Sequence, residues 1–134
     1  MYEYLKQYAP VSDELCEALS DSCEQKEFSK RDLLVSADTE CNYLYFILEG
    51  LCISYFEKDG RVCVARFCKE GDFCTPFHSF LGEKKSFLSV VAYERTTVLC
   101  ISRKAFDCLW QKFDGFSTLI YAALEKQTIE YEER

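Results

Sequence analysis

The sequence predicts a mainly β domain with flanking helices, and three observations carry that expectation. Two apolar runs rich in β-branched and aromatic residues, at 51–56 and 62–67, flank an Asp59-Gly60 pair. Such a pair is a strong hairpin signal, because Gly60 takes positive φ without a Cβ clash. Further short runs of the same kind recur along the chain between glycine and polar turns, among them Gly71-Asp72. At both ends the apolar period lengthens from two towards that of a helix, behind Ser12 and behind Ser102. Helix, many short strands, then two helices is the element order of a small double-stranded β-helix, or jelly roll, carrying a long C-terminal helix.

In order, residues 2–8 predict a short helix closed by Pro10, since proline disfavours helix at the residue before it. Ser12 has the chemistry of an N-cap, with Asp13 and Glu14 in the first turn and Leu15, Ala18 and Leu19 as the apolar stripe. Strands are expected at 27–30 and 32–35, with Lys30-Arg31 between them and a loop at 36–41. The β-rich centre, 43–80, follows as strand, Gly50, strand, Asp59-Gly60, strand, Gly71-Asp72. Its last stretch, 73–80, is expected to line a pocket. A polar turn at 82–86 leads to strands at 87–93 and 96–101, and Ser102 caps a helix that buries Ala105, Phe106, Leu109 and Trp110.

From Gly115 the chain reads as helix. Phe116, Ile120, Leu124, Gln127 and Tyr131 fall at spacings close to a coiled-coil seam, with Thr118, Tyr121 and Glu125 off it. No cap glycine or proline follows, so the helix reads as unfinished where the sequence stops. The expected division is a roll with its helices at 1–113 and the start of a long helix at 114–134.

Composition narrows the function classes. The 134 residues fit one domain that buries roughly two-thirds of its unfolded surface. Apolar residues make up 49%, with 11 Phe and 9 Tyr, which suits an aromatic-packed β core. The net charge of −7 opposes nucleic-acid binding by this domain itself, which needs Lys and Arg gathered on one face. No apolar run approaches a membrane span and the first residues lack signal-peptide character, so a soluble cytoplasmic chain is expected. Nine cysteines without a Cys-x-x-Cys read as reduced thiols. Those at 52, 63, 68, 74 and 100 fall on or beside strands, where a thiol packs as a small hydrophobe.

Four segments in this order and spacing resemble the sensor domain of the Crp/Fnr transcription regulators, a cyclic-nucleotide-binding-like roll. They are residues 42–50, Lys58-Asp59-Gly60, residues 70–73, and residues 98–102 opening a helix. The resemblance covers nearly the whole chain. It implies a homodimer through the last helix, a small-molecule effector in the roll, and DNA contact only through a C-terminal domain that this chain does not contain.

The family's phosphate cassette implies a Gly-Asp turn, a short helix whose amides hold the cyclic phosphate, a Glu for the ribose and an Arg for the charge. Gly71, Asp72 and Phe73 match. Thr75 stands where the family carries Gly, Pro76 where it carries Glu, and Lys84, Lys85 and Ser86 near the expected Arg. A lysine attracts an anion without the planar fork of arginine, so an effector other than cyclic AMP is expected.

The effector-pocket candidates are Gly71, Asp72, Phe73, Cys74, Thr75, Pro76, Phe77, His78, Ser79, Lys84, Lys85 and Ser86. They form either an anion pocket or a solvated turn beside a roll filled by Phe73, Phe77, Phe80 and Phe87. Cys74 with His78 carries a second reading, haem or redox sensing, against a hydrogen-bonded, part-buried histidine. No cofactor is otherwise expected. Cys16 and Cys23 are too few for an iron–sulfur cluster, and one histidine is too few for a metalloenzyme of the cupin kind. A ligand-free dimerisation module and a helix folded back on its own roll stand as the plainer alternatives.

Overall fold

The computed structural model describes residues 2–132. Glu133 and Arg134, the end of the expected dimer helix, lie outside the described residues. Helices α1 (Tyr2–Leu5) and α2 (Asp13–Ser22) precede strands β1 (Glu24–Phe28), β2 (Leu33–Val35), β3 (Tyr43–Glu49), β4 (Leu51–Lys58) and β5 (Arg61–Lys69). Helix α3 (Phe77–Gly82), strands β6 (Ser89–Ala92) and β7 (Thr96–Ser102), and helices α4 (Arg103–Lys112) and α5 (Asp114–Glu132) follow. A three-stranded sheet, β1-β7-β3, faces a four-stranded sheet, β2-β6-β4-β5, and every ladder is antiparallel.

Local chemistry sets most boundaries where the sequence places them. The Ser12 hydroxyl accepts from the Leu15 amide at 3.1 Å, and Ser102 caps α4 through Ala105 at 3.2 Å. Asp59 and Gly60 both take positive φ, as the tight turn joining Lys58 to Arg61 requires. Two edges move. β1 starts at Glu24 because Glu24 pairs with Cys100, and it ends before Lys30 because Arg31 turns at positive φ with Asp32 bonded to Ser29. β6 starts only at Ser89, because Ser86 Oγ bonds the carbonyl and amide of Leu88 and holds residues 86–88 in a turn.

The core lies between the sheets and continues under α2, α4 and α5. Leu44, Ile47, Val98, Phe80, Phe116, Leu119 and Ile120 are fully buried in it. The void among Leu5, Leu19, Leu44, Phe73, Phe116 and Leu119 is only about 10 Å³, too small for more than one water. The roll is filled.

Four of the thiols expected to pack as hydrophobes, Cys52, Cys68, Cys74 and Cys100, are buried. Cys63 is half-buried, and none of the nine is paired in a disulfide. No helix among the described residues is long and apolar enough to cross a membrane.

Candidate functional site

The Gly71-Asp72 turn is gripped from three sides. Gly71 takes positive φ, and a Cβ there would meet the Tyr4 ring at 2.6 Å, so only glycine fits. Its carbonyl accepts from Gln7 Nε2 at 3.0 Å and from the Tyr8 hydroxyl at 2.9 Å. Along β3, the Ile47 amide bonds the Asp72 carbonyl at 2.9 Å and the Cys74 amide bonds that of Tyr45 at 3.1 Å. From α5, Lys126 Nζ reaches Asp72 Oδ1 at 3.0 Å and Gln127 Nε2 donates to the Thr75 carbonyl at 3.2 Å.

Beside the turn stands Arg66, inside the roll on β5 and only 3% exposed. Its Nε donates to Glu130 Oε2 at 2.6 Å and its Nη1 to the Phe73 carbonyl at 2.8 Å and Cys68 Sγ at 3.4 Å, with Asp72 Oδ2 3.9 Å from Nη2. Burial opposes the charge, but Cys68, Glu130 and Asp72 together outweigh it and lift its pKa above the ordinary arginine value. Arg66, Lys126 and Glu130 were not among the residues expected at the site. The signal was there: β5 alternates, and Arg66 lies opposite the inward Ser54, on the same face as Cys68.

The start of the short helix offers no anion cradle. Thr75 is fully buried, and its hydroxyl accepts from the Tyr45 amide at 2.7 Å and donates to the Tyr43 carbonyl at 3.3 Å. Pro76, at the N-cap of α3, removes one amide donor. α3 has six residues. Its far end is fixed by Arg103, which donates to the carbonyls of Phe80 at 2.7 Å and Cys41 at 3.1 Å. Ser79 Oγ is likewise spent, on the Cys41 amide and the Lys84 carbonyl.

Several sequence expectations are corrected here. Lys84 and Lys85 are exposed and line no groove with the cassette, and the Ser86 hydroxyl is used within its own turn, so the expected anion pocket is not assembled. The four phenylalanines do not form one cluster. Phe73 packs on Phe77 at 6.4 Å, Phe80 on Phe106 at 5.0 Å, and Phe87 is 68% exposed and stacked on Phe56.

His78 is exposed rather than part-buried, whereas Cys74 is buried against Cys52. The thiol–thiol hydrogen bond with Cys52, then burial, raises Cys74 well above the ordinary thiol value, so it is neutral and no thiolate ligand. Cys74 and His78 therefore share no site. No group of three or more His, Cys, Asp and Glu among the described residues could hold a metal.

The expected helix seam is also largely used at home. Phe116, Ile120 and Gln127 are buried against the chain's own roll, and Leu124 and Tyr131 are half-buried. Thr118, Tyr121 and Glu125, placed off the seam, are exposed.

Between the cassette and α5 lies an open groove of about 360 Å³ lined by Pro76, Phe77, His78, Ser79, Ser86, Phe87, Leu88, Gln127 and Tyr131. Its floor is the cassette and its wall is α5. The Tyr131 hydroxyl closes one end against Ser54 Oγ at 3.4 Å. A small, mainly apolar molecule fits such a place, and anything bound there touches α5 directly.

The sequence pattern of the cyclic nucleotide-binding domain matches residues 25–113. No curated protein matches the chain. Among solved structures, a cyclic nucleotide-binding domain from Methylobacillus flagellatus superposes with a TM-score of 0.83 at 17% identity, covering 98% of this chain and 76% of that one. The catabolite activator protein of Thermus thermophilus gives 0.82 at 16% identity, over 96% of this chain and 60% of that one. The regulatory subunit of a cAMP-independent protein kinase A from Trypanosoma brucei gives 0.80 at 20% identity, over 98% of this chain. The chain spans only 45% of that subunit's length. These likenesses are of fold.

Proposed function

Because the chain belongs to the cyclic nucleotide-binding domain family, we propose that it is the ligand-sensing and dimerisation domain of a cytoplasmic, non-catalytic Crp/Fnr-type transcription regulator whose effector is not a cyclic nucleotide. The observation that carries this is the attachment of α5 to the cassette through Lys126–Asp72 and Gln127–Thr75, with the groove opening between them. A molecule in the groove shifts the population of α5 positions, and so the placement of DNA-binding domains that lie outside this chain.

Cyclic nucleotides are disfavoured on the cassette's own chemistry. A site built for a ribose hydroxyl and a phosphate loses most of its affinity without the carboxylate and the guanidinium fork. With Phe116 and Ile120 buried at home, the flank of α5 left for a second copy carries Tyr121, Leu124 and Thr128.

The filled roll supports a second reading, a ligand-free dimerisation module. A thermal-shift screen of nucleotides, organic acids and haem, paired with sedimentation velocity, separates the two. Sensing predicts stabilisation by one compound, a change in the dimer, and loss of both when Leu88→Trp fills the groove. A dimer indifferent to every compound supports the module. A monomer at all concentrations contradicts both.

A further inference from the structure

A polar niche lies next to the groove. Arg66 and Ser54 stand directly opposite each other on β5 and β4, both buried and both facing the last turns of α5. A guanidinium fork matches the two oxygens of a carboxylate, and few other groups satisfy it so well away from water. Its nearest anion comes from the chain itself, Glu130 at Nε, with Asp72 farther off at Nη2.

Glu130 is the more exposed partner of the pair. The Glu130 side chain keeps 30% exposure against 4% for Arg66, and Lys126 stands 3.8 Å from its other oxygen, ready to pair with it once it leaves Arg66. Tyr131 links the niche to the groove: it lines the groove, and its hydroxyl meets Ser54.

The geometry points to an effector subsite at Arg66 for a small monocarboxylate with an apolar body. Its carboxylate replaces that of Glu130 on Arg66, and its body lies in the groove along Pro76, Phe77 and Leu88. A dianionic phosphate is disfavoured, because Asp72 already lies 3.9 Å from the same guanidinium and repels a second charge. Binding detaches Glu130 and Tyr131, hence the last turn of α5, while Lys126 stays on Asp72. This names the effector class of the sensor reading and rests on it.

Glu130→Ala empties the niche on a part-exposed side chain. The wild-type chain and the variant are titrated calorimetrically with sodium phenylacetate, sodium acetate, inorganic phosphate and neutral phenylacetamide at constant ionic strength. The expected result is phenylacetate binding stronger in Glu130→Ala than in wild type by on the order of tenfold. Acetate should bind more weakly, phosphate more weakly still, and phenylacetamide should not bind.

Equal affinity in wild type and variant overturns the proposal, as does binding of phenylacetamide or a preference for phosphate. If Glu130→Ala does not fold, Glu130→Gln keeps the side chain's size and is read the same way. Carboxylate binding at Arg66 that leaves sedimentation unchanged retains the subsite and removes the sensor reading. A dimer change caused by a compound indifferent to Glu130→Ala does the opposite.

Discussion

Along α5, Phe116, Leu119, Ile120 and Ala123 are buried by apolar packing, whereas Lys126, Gln127, Glu130 and Tyr131 reach the roll through polar contacts. In the first half, Phe116 lies edge-on to Phe106 at 5.2 Å and to Trp110 at 6.4 Å. Removing a buried aromatic of this kind leaves a cavity that nothing refills. In the second half each contact exchanges a bond to water for a bond to protein, and nets about 0.5–1.5 kcal/mol where both groups are neutral and roughly 1.5–3 kcal/mol where a charge takes part. The first half is therefore a permanent part of the core, and the second a latch whose partners water or a ligand can replace.

The largest expected effect comes from breaking the first half. Phe116→Ala should cost about 3–5 kcal/mol of global stability, read as a lowered urea midpoint with an unchanged slope. A loss below about 1 kcal/mol would mean that this half is not core at all.

Arg66→Met breaks the latch instead. Removing one partner of a fully buried ion pair costs roughly 3–5 kcal/mol, but Glu130 is part-exposed and can be rehydrated and the buried Asp72 keeps Lys126, so about 1–3 kcal/mol is expected. A double-mutant cycle of Arg66→Met with Glu130→Met should show that the two are coupled; additivity would argue that the contact contributes nothing. Gln127→Ala should cost about 1 kcal/mol, because it leaves the buried Thr75 carbonyl without this donor. Equilibrium denaturation measures both.

The smallest effect at neutral pH is alkaline sensitivity, and thiols lie beneath both halves. Burial pushes Cys23, which lines the small void with Phe116 and Leu119, up to about 11 from an ordinary 9.0. Burial pushes Cys68, against Arg66, up to about 12. A raised thiol pKa favours the neutral folded form. Its contribution is whole below 9.0 and is lost as pH climbs through about 11 for Cys23 and about 12 for Cys68. Urea midpoints should therefore fall as pH rises above 9.0. A Cys68→Ala variant, which has no thiol to ionise there, should fall less steeply.

The sequence made the fold legible because its signals are local. Ser12 and Ser102 announce helix starts by their own hydroxyls, and Asp59-Gly60 announces a hairpin by its backbone freedom. The site was harder to read, for two physical reasons. A heptad stripe drifts by about 20° per seven residues on a straight helix. The seam drawn through Leu124 and Tyr131 therefore slides off the roll, and the buried face runs through Leu119 and Ala123 instead.

The latch, moreover, is long-range. Lys126 and Glu130 read as an ordinary surface pair four apart, and only the fold brings them to residues more than fifty positions earlier. Arg66 was readable in part. In β5 it shares a face with Cys68 while the aromatic Phe67 faces outward, an inversion of the usual pattern that marks a site rather than a core.

Amide hydrogen exchange along α5 tests the two-halves account most directly. The account predicts that residues 126–131 exchange through local opening well below the cost of global unfolding, that residues 116–123 exchange only with the whole roll, and that Arg66→Met speeds the first group alone. A helix whose two halves exchange at one rate, equally shifted by Arg66→Met, would contradict it.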